Sequence, residues 1–221
     1  MEPSGAALAT AAGAIAWAAA AACVAWAAWR APWARLREDE QSNVFLGAIV
    51  AVAVLWSIGA AIGSLPRLHL LGATVLYLMF GLPLAVVATA AVAALATAFV
   101  PGDWLLLVAP RALLGGVVPV LASHGVLRLC ERWLPANFFV YVFGGAFFGG
   151  AVAMLAAGAA TSIALTVLAP DAALPRESLV PVLLMLAFGE ATLTGMLATL
   201  LAVYRPRWIH TFSDERYLAR K

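Results

Sequence analysis

Charge is what this chain lacks. Only 11% of its 221 residues are charged, against about 25% in a soluble domain of ordinary composition. So few charges cannot cover a globular surface, which excludes a soluble enzyme. Cysteine is scarce as well. Cys23 and Cys130 are the two present, too few for a disulfide framework, and no CxxC occurs. Both fall in or beside apolar segments and read as small buried hydrophobes. Motifs of catalysis are missing: there is no GxSxG, no HExxH and no Walker A sequence. The acidic clusters Glu38–Glu40 and Asp214–Glu215 fall in solvated loops, and the short basic tail is interleaved with acids, so nucleic-acid binding has no support. The opening Met1–Gly5 carries no basic residue. The long apolar run after it therefore reads as a membrane span and not as a cleavable leader.

What is abundant is apolar sequence. Hydrophobic residues make up 65% of the chain and its mean hydropathy is +0.99, which excludes disorder. The expected fold is all-α, a polytopic membrane protein of about seven transmembrane helices. It forms one domain over residues 1–204, followed by a short basic tail over 205–221. A helix needs about 20 apolar residues to cross the ~30 Å hydrocarbon core. Seven segments come close: Ala6–Trp29, Asn43–Gly63, Ser64–Gly81, Leu82–Val100, Trp104–Leu127, Asn137–Ala169 and Leu179–Tyr204. The third is short for a full span and stands either as a helix or as half of a hairpin with the fourth. The sixth is too long for one straight span and is expected to tilt, fray or kink near Gly149 or Gly158.

Basic residues set the orientation. Seven spans put the loop after helix 1, the loop after helix 5 and the tail on one side, and these hold 10 of the 13 basic residues. Arg67 and Arg176 fall on the other side and Arg111 inside helix 5. The N-terminus is therefore expected outside and the C-terminus in the cytoplasm, in a bacterial inner membrane. Small residues crowd helix 1 (Ala11, Ala12, Gly13, Ala16) and helix 6 (Gly144, Gly145, Gly149, Gly150). They suit close backbone packing, within the bundle or against a partner subunit. Basic residues of the tail, Arg205 and Arg207 among them, suit lipid headgroups.

Ionisable residues inside spans are costly and face cavities or partners. His69, Arg111, His124 and Glu190 stand out. By depth, His69 and His124 approach opposite faces and cannot share a ligand shell. Arg111 and Glu190 both lie in the outer-to-middle zone and are expected to form an intramembrane ion pair between helices 5 and 7. His124 reads as an interfacial or core histidine, and His210 carries little signal.

Three stretches carry a family resemblance. Met1–Gly5 leads into helix 1, the charged loop Arg30–Glu40, then Phe45-Leu46-Gly47. His69-Leu70-Leu71-Gly72 is followed by an apolar run to Gly81-Leu82-Pro83. Gly189-Glu190-Ala191 with Thr194 is followed by Tyr204-Arg205-Pro206. Together they resemble the CbiM/NikM family, the membrane-embedded substrate-binding subunits of energy-coupling-factor transporters for cobalt and nickel. The tail Arg207–Asp214 is most similar to a proteobacterial branch related to that family. The resemblance implies a metal site in which the N-terminus folds back into the bundle. Met1, through its amine, Glu2, in place of the family's residue-2 histidine, and His69 would then be the ligands. Such an N/O set accepts Ni²⁺, Co²⁺, Cu²⁺ or Zn²⁺. Arg67 and Arg111 add cations nearby where the family has none.

The function expected is a non-enzymatic membrane substrate-binding subunit for uptake of a divalent transition metal or small solute. Its partners would be a transmembrane coupling subunit and separate ATPases, with lipid around it. The alternative is an accessory membrane subunit that has lost the metal site and binds a protein partner or lipid.

Overall fold

The computed structural model describes residues 5–59, 69–98, 104–168 and 176–217. Among them every regular element is helical. Alanine-rich α1 (Gly5–Arg30) is followed by a 3₁₀ turn at Trp33–Arg37 and by α2 (Asp39–Ser57). Asp39 and Glu40 sit in the first turn of α2, where the helix dipole favours negative charge. Next come α3 (Ala73–Phe80) and α4 (Leu82–Ala98). α5 (Trp104–Pro110) runs through a wider, π-helical stretch at Arg111–Val117 into α6 (Val118–Trp133). A second π-helical stretch, Val140–Phe148, passes at Gly149 into α7 (Gly149–Leu168). α8 (Arg176–Tyr204) is followed by a 3₁₀ turn at Pro206–Trp208 and by α9 (Asp214–Tyr217).

Five of these rods are long and apolar enough to cross a membrane: Gly13–Arg30, Asp39–Ser57, Leu107–Trp133, Val140–Val167 and Leu179–Tyr204. Leu82–Ala98 is a shorter apolar helix. The chain is an all-helical, multi-pass membrane protein. Its outward side chains are apolar, such as Ile163, Met185 and Phe188, each more than 60% exposed, as a lipid-facing surface requires.

The third expected span is where the structure departs from the sequence reading. Its described helix is α3, with eight residues. At 1.5 Å per residue it is about 12 Å long, less than half of the ~30 Å hydrocarbon core. His69–Gly72 before it is non-helical. Two glycines bracket α3, Gly72 at φ 62 and Gly81 at φ 80, a backbone region that glycine enters without strain. At Gly81 a side chain is excluded twice over, because a Cβ would fall 2.6 Å from the His210 ring.

The described residues after α8 pack on one face of the bundle. Gln41 Nε2 donates to the Arg207 carbonyl at 3.1 Å and Trp208 Nε1 to Glu40 at 2.8 Å. The tail also reaches the α3–α4 junction, the end of α6 through an Arg216–Glu131 ion pair at 2.8 Å, and Tyr141. The loops after α1 and α6 thus share a face with the tail, as the distribution of basic residues predicts. The tail does not hang free: Ile209, Phe212 and Tyr217 are buried. Phe212 stacks on Tyr217 with centroids 5.4 Å apart, and both pack on Tyr141.

Candidate functional site

α8 is 29 residues long and Glu190 is its fifteenth, so this carboxylate lies at mid-membrane depth. It is 0% exposed. Its oxygens take two consecutive backbone amides: Leu71 N–H donates to Oε2 and Gly72 N–H to Oε1, both at 2.8 Å. These amides lie where a non-helical segment turns into a helix. Such N–H groups have no partner within the helix, and backbone at this depth must be satisfied by protein because water is absent. Glu190 supplies two acceptors where the positive end of the α3 dipole favours an anion.

Leu71 is fixed on its other side as well. Its carbonyl accepts from the buried Trp56 indole at 2.8 Å. Trp56 is pressed in turn against Gly115, where a Cβ would stand 2.9 Å from the indole edge. Gly115 belongs to the π-helical stretch Arg111–Val117, and such insertions gather at functional places in helices. Both polar groups of the Leu71 backbone are thereby held by side chains from α2 and α8.

This arrangement presents His69. The ring lies against Trp56, with centroids 4.9 Å apart and planes inclined by 34°, and is half-buried. Its Nδ1 is 3.0 Å from the Leu70 carbonyl. That contact suits an N–H on Nδ1 and leaves Nε2 with its lone pair, the tautomer that ligates a metal.

Of the residues expected to form the metal site, Met1 and Glu2 lie outside the described residues, as does Arg67, and His69 is on the pinned segment. Among the described residues no group of three or more His, Cys, Asp or Glu is placed to hold a metal ion. Arg111 and Glu190 form no ion pair among the described contacts. One guanidinium nitrogen of Arg111 donates to Thr97 Oγ1 at 3.2 Å, while the Glu190 oxygens are occupied by amides. Trp56 and Gly115 escaped the sequence reading, which noted Gly72 only within the His69-Leu70-Leu71-Gly72 stretch. The available signal was the pair of glycines enclosing an eight-residue apolar run.

His124 has a partner too. Its Nδ1 is 3.0 Å from the Tyr77 hydroxyl, with Thr74 and Ser123 hydrogen-bonded a turn away at 2.7 Å. These polar groups staple α3 to α6 on the side of the tail face.

A half-length helix whose start meets a buried carboxylate at mid-depth, beside non-helical backbone and a histidine, defines a class. It is a polytopic α-helical membrane protein with a short helix and irregular backbone between its spans, a construction also found in transporters. The family model for the cobalt uptake substrate-specific transmembrane region, CbiM, matches residues 4–208. The chain belongs to the CbiM family, a family of transporter components and not of enzymes. No match was found among curated proteins or among solved structures.

Proposed function

We propose that this chain is the substrate-capturing membrane subunit of an uptake system for a divalent transition-metal cation, and that His69 is its imidazole donor. The observation that carries the reading is the double anchoring of Leu71 and Gly72 by Trp56 and Glu190, which holds the adjoining His69 in place. Selective binding of Ni²⁺ or Co²⁺ depends on imposed geometry more than on intrinsic affinity, so a fixed donor is the useful one. The Met1 amine and the Glu2 carboxylate would complete an N/O set. The positive-inside rule places the N-terminus outside and the tail face in the cytoplasm. With no nucleotide-binding motif of its own, the chain would work with a coupling subunit and ATPases, as members of this family do.

A second reading, an accessory subunit without metal, is favoured by Glu2 standing in place of a histidine and by the cations Arg67 and Arg111, since fixed cations near a site oppose a divalent one. Metal analysis separates the two. Wild-type protein incubated with Co²⁺ or Ni²⁺ should retain about one ion per chain, and folded His69→Ala should retain none. A tag left before Met1 should weaken retention by blocking the amine. Wild-type protein that stays metal-free leaves the accessory reading.

A further inference from the structure

The last four carbonyls of a helix have no partner within it, and α3 shows where its own are satisfied. Tyr77 O accepts from Gly81 N–H at 2.8 Å. The next two are taken by the tail: Leu78 O accepts from Thr211 N–H at 3.2 Å, and Met79 O from His210 N–H at 2.9 Å. Leu78 O also accepts from Thr211 Oγ1 at 3.0 Å. With its proton so committed, the Thr211 hydroxyl accepts from Tyr141 OH at 2.8 Å. The opposite end of α3 is held by Glu190. One continuous stretch of chain, α8 and its extension, therefore grips the half-helix at both ends.

The extension has anchors of its own, away from α3. Phe212 and Tyr217 stack on each other and on Tyr141. Arg216 pairs with Glu131, and Trp208 and the Arg207 carbonyl hold the start of α2. The aromatic anchors are buried, while the Arg216 side chain is 46% exposed, open to a protein docking on the tail face.

We infer that the segment Arg205–Tyr217 is a positioning strap for α3 and the His69–Gly72 segment before it. While docked, it fixes the axial position of α3, and with it the height at which Leu71 and Gly72 meet Glu190 and at which His69 is presented. Undocking frees the tail-face end of α3, and the His69–Gly72 segment loosens with it. Its effect on cargo rests on the proposed role of His69; its effect on backbone order does not.

The experiment is hydrogen–deuterium exchange, read by mass spectrometry, on the full chain in lipid nanodiscs. Wild type is compared with Phe212→Ala/Tyr217→Ala and with the milder Arg216→Glu, which sets two like charges together on the surface. None of these side chains touches α3 through a hydrogen bond. Exchange across residues 69–80 should accelerate at least tenfold in the double variant and less in the single one, with 45–57, beyond the start of α2 that the strap holds, and Gly149–Leu168 unchanged. Acceleration of 206–217 alone would overturn the inference, because the strap would then be surface packing. Acceleration of all helices alike would also overturn it, because the strap would be a general stabiliser. In a parallel arm, Co²⁺ dissociation should quicken in the same order while association is kept. Wild-type protein that takes up no Co²⁺ defeats the proposed function and leaves the exchange result to decide on the strap.

Discussion

Replacing Glu190 by alanine and by glutamine distinguishes a backbone anchor from an ordinary interhelical contact. Alanine removes both acceptors and leaves the Leu71 and Gly72 amides orphaned inside the protein. A buried unsatisfied donor costs about 1–3 kcal/mol, so Glu190→Ala should cost about 2–6 kcal/mol. Glutamine keeps one carbonyl oxygen. Its –NH₂ group must face the second amide donor to donor, so one amide stays orphaned, and the expected loss is about 1–3 kcal/mol. Side-chain hydrogen bonds between membrane helices average only about 0.6 kcal/mol. If Glu190 were merely such a contact, the two variants would be alike and mild. Unfolding titrated with sodium dodecyl sulfate in mixed micelles measures the difference. Equal destabilisation by alanine and glutamine, within about 0.5 kcal/mol, would refute the two-amide account.

The strap carries a pH dependence and the bundle a topology that can be checked. Burial, aided by the nearby Arg35 charge, lowers the His210 pKa below its ordinary 6.5. The unfolded chain then takes up a proton before the folded one, so docking loses stability as pH falls below about 6.5. Exchange of residues 206–217, corrected for intrinsic chemistry, should rise from pH 7 to 5.5 in wild type and rise less in His210→Gln; equal rises would assign the effect elsewhere. Single cysteines at Ser42 and Ile58, at opposite ends of α2, should be labelled from opposite sides of the membrane, Ser42 from the cytoplasm. Labelling of Ser42 from outside would invert the orientation.

Much of this architecture is legible in the residues because the bilayer makes it so. Transfer into hydrocarbon rewards runs of about 20 apolar residues; α4 falls within its expected segment, and α1, α2 and α8 overlap theirs but begin a few residues earlier. The grouping of Arg30–Arg37, Arg128–Arg132 and the tail on one face is equally legible, since charge is excluded from the spans between. The burial of Glu190 could be foreseen for the same reason. Its partner could not. Hydropathy averaged over a window reports the cost of burying a stretch, not whether that stretch is helix or strand. Ser64–Gly81 therefore reads as a span, although the described helix covers Ala73–Phe80 alone. The bonds that shape it join Glu190 to residues 119 and 118 positions away, and Thr211 to one 133 away. Their acceptors and donors are largely backbone groups, which every residue possesses and which leave no mark on composition or spacing. Only the packing of α8 and its extension against α3 decided that the Glu190 carboxylate would meet the Leu71 and Gly72 amides, and that a charged-looking tail would close on the bundle.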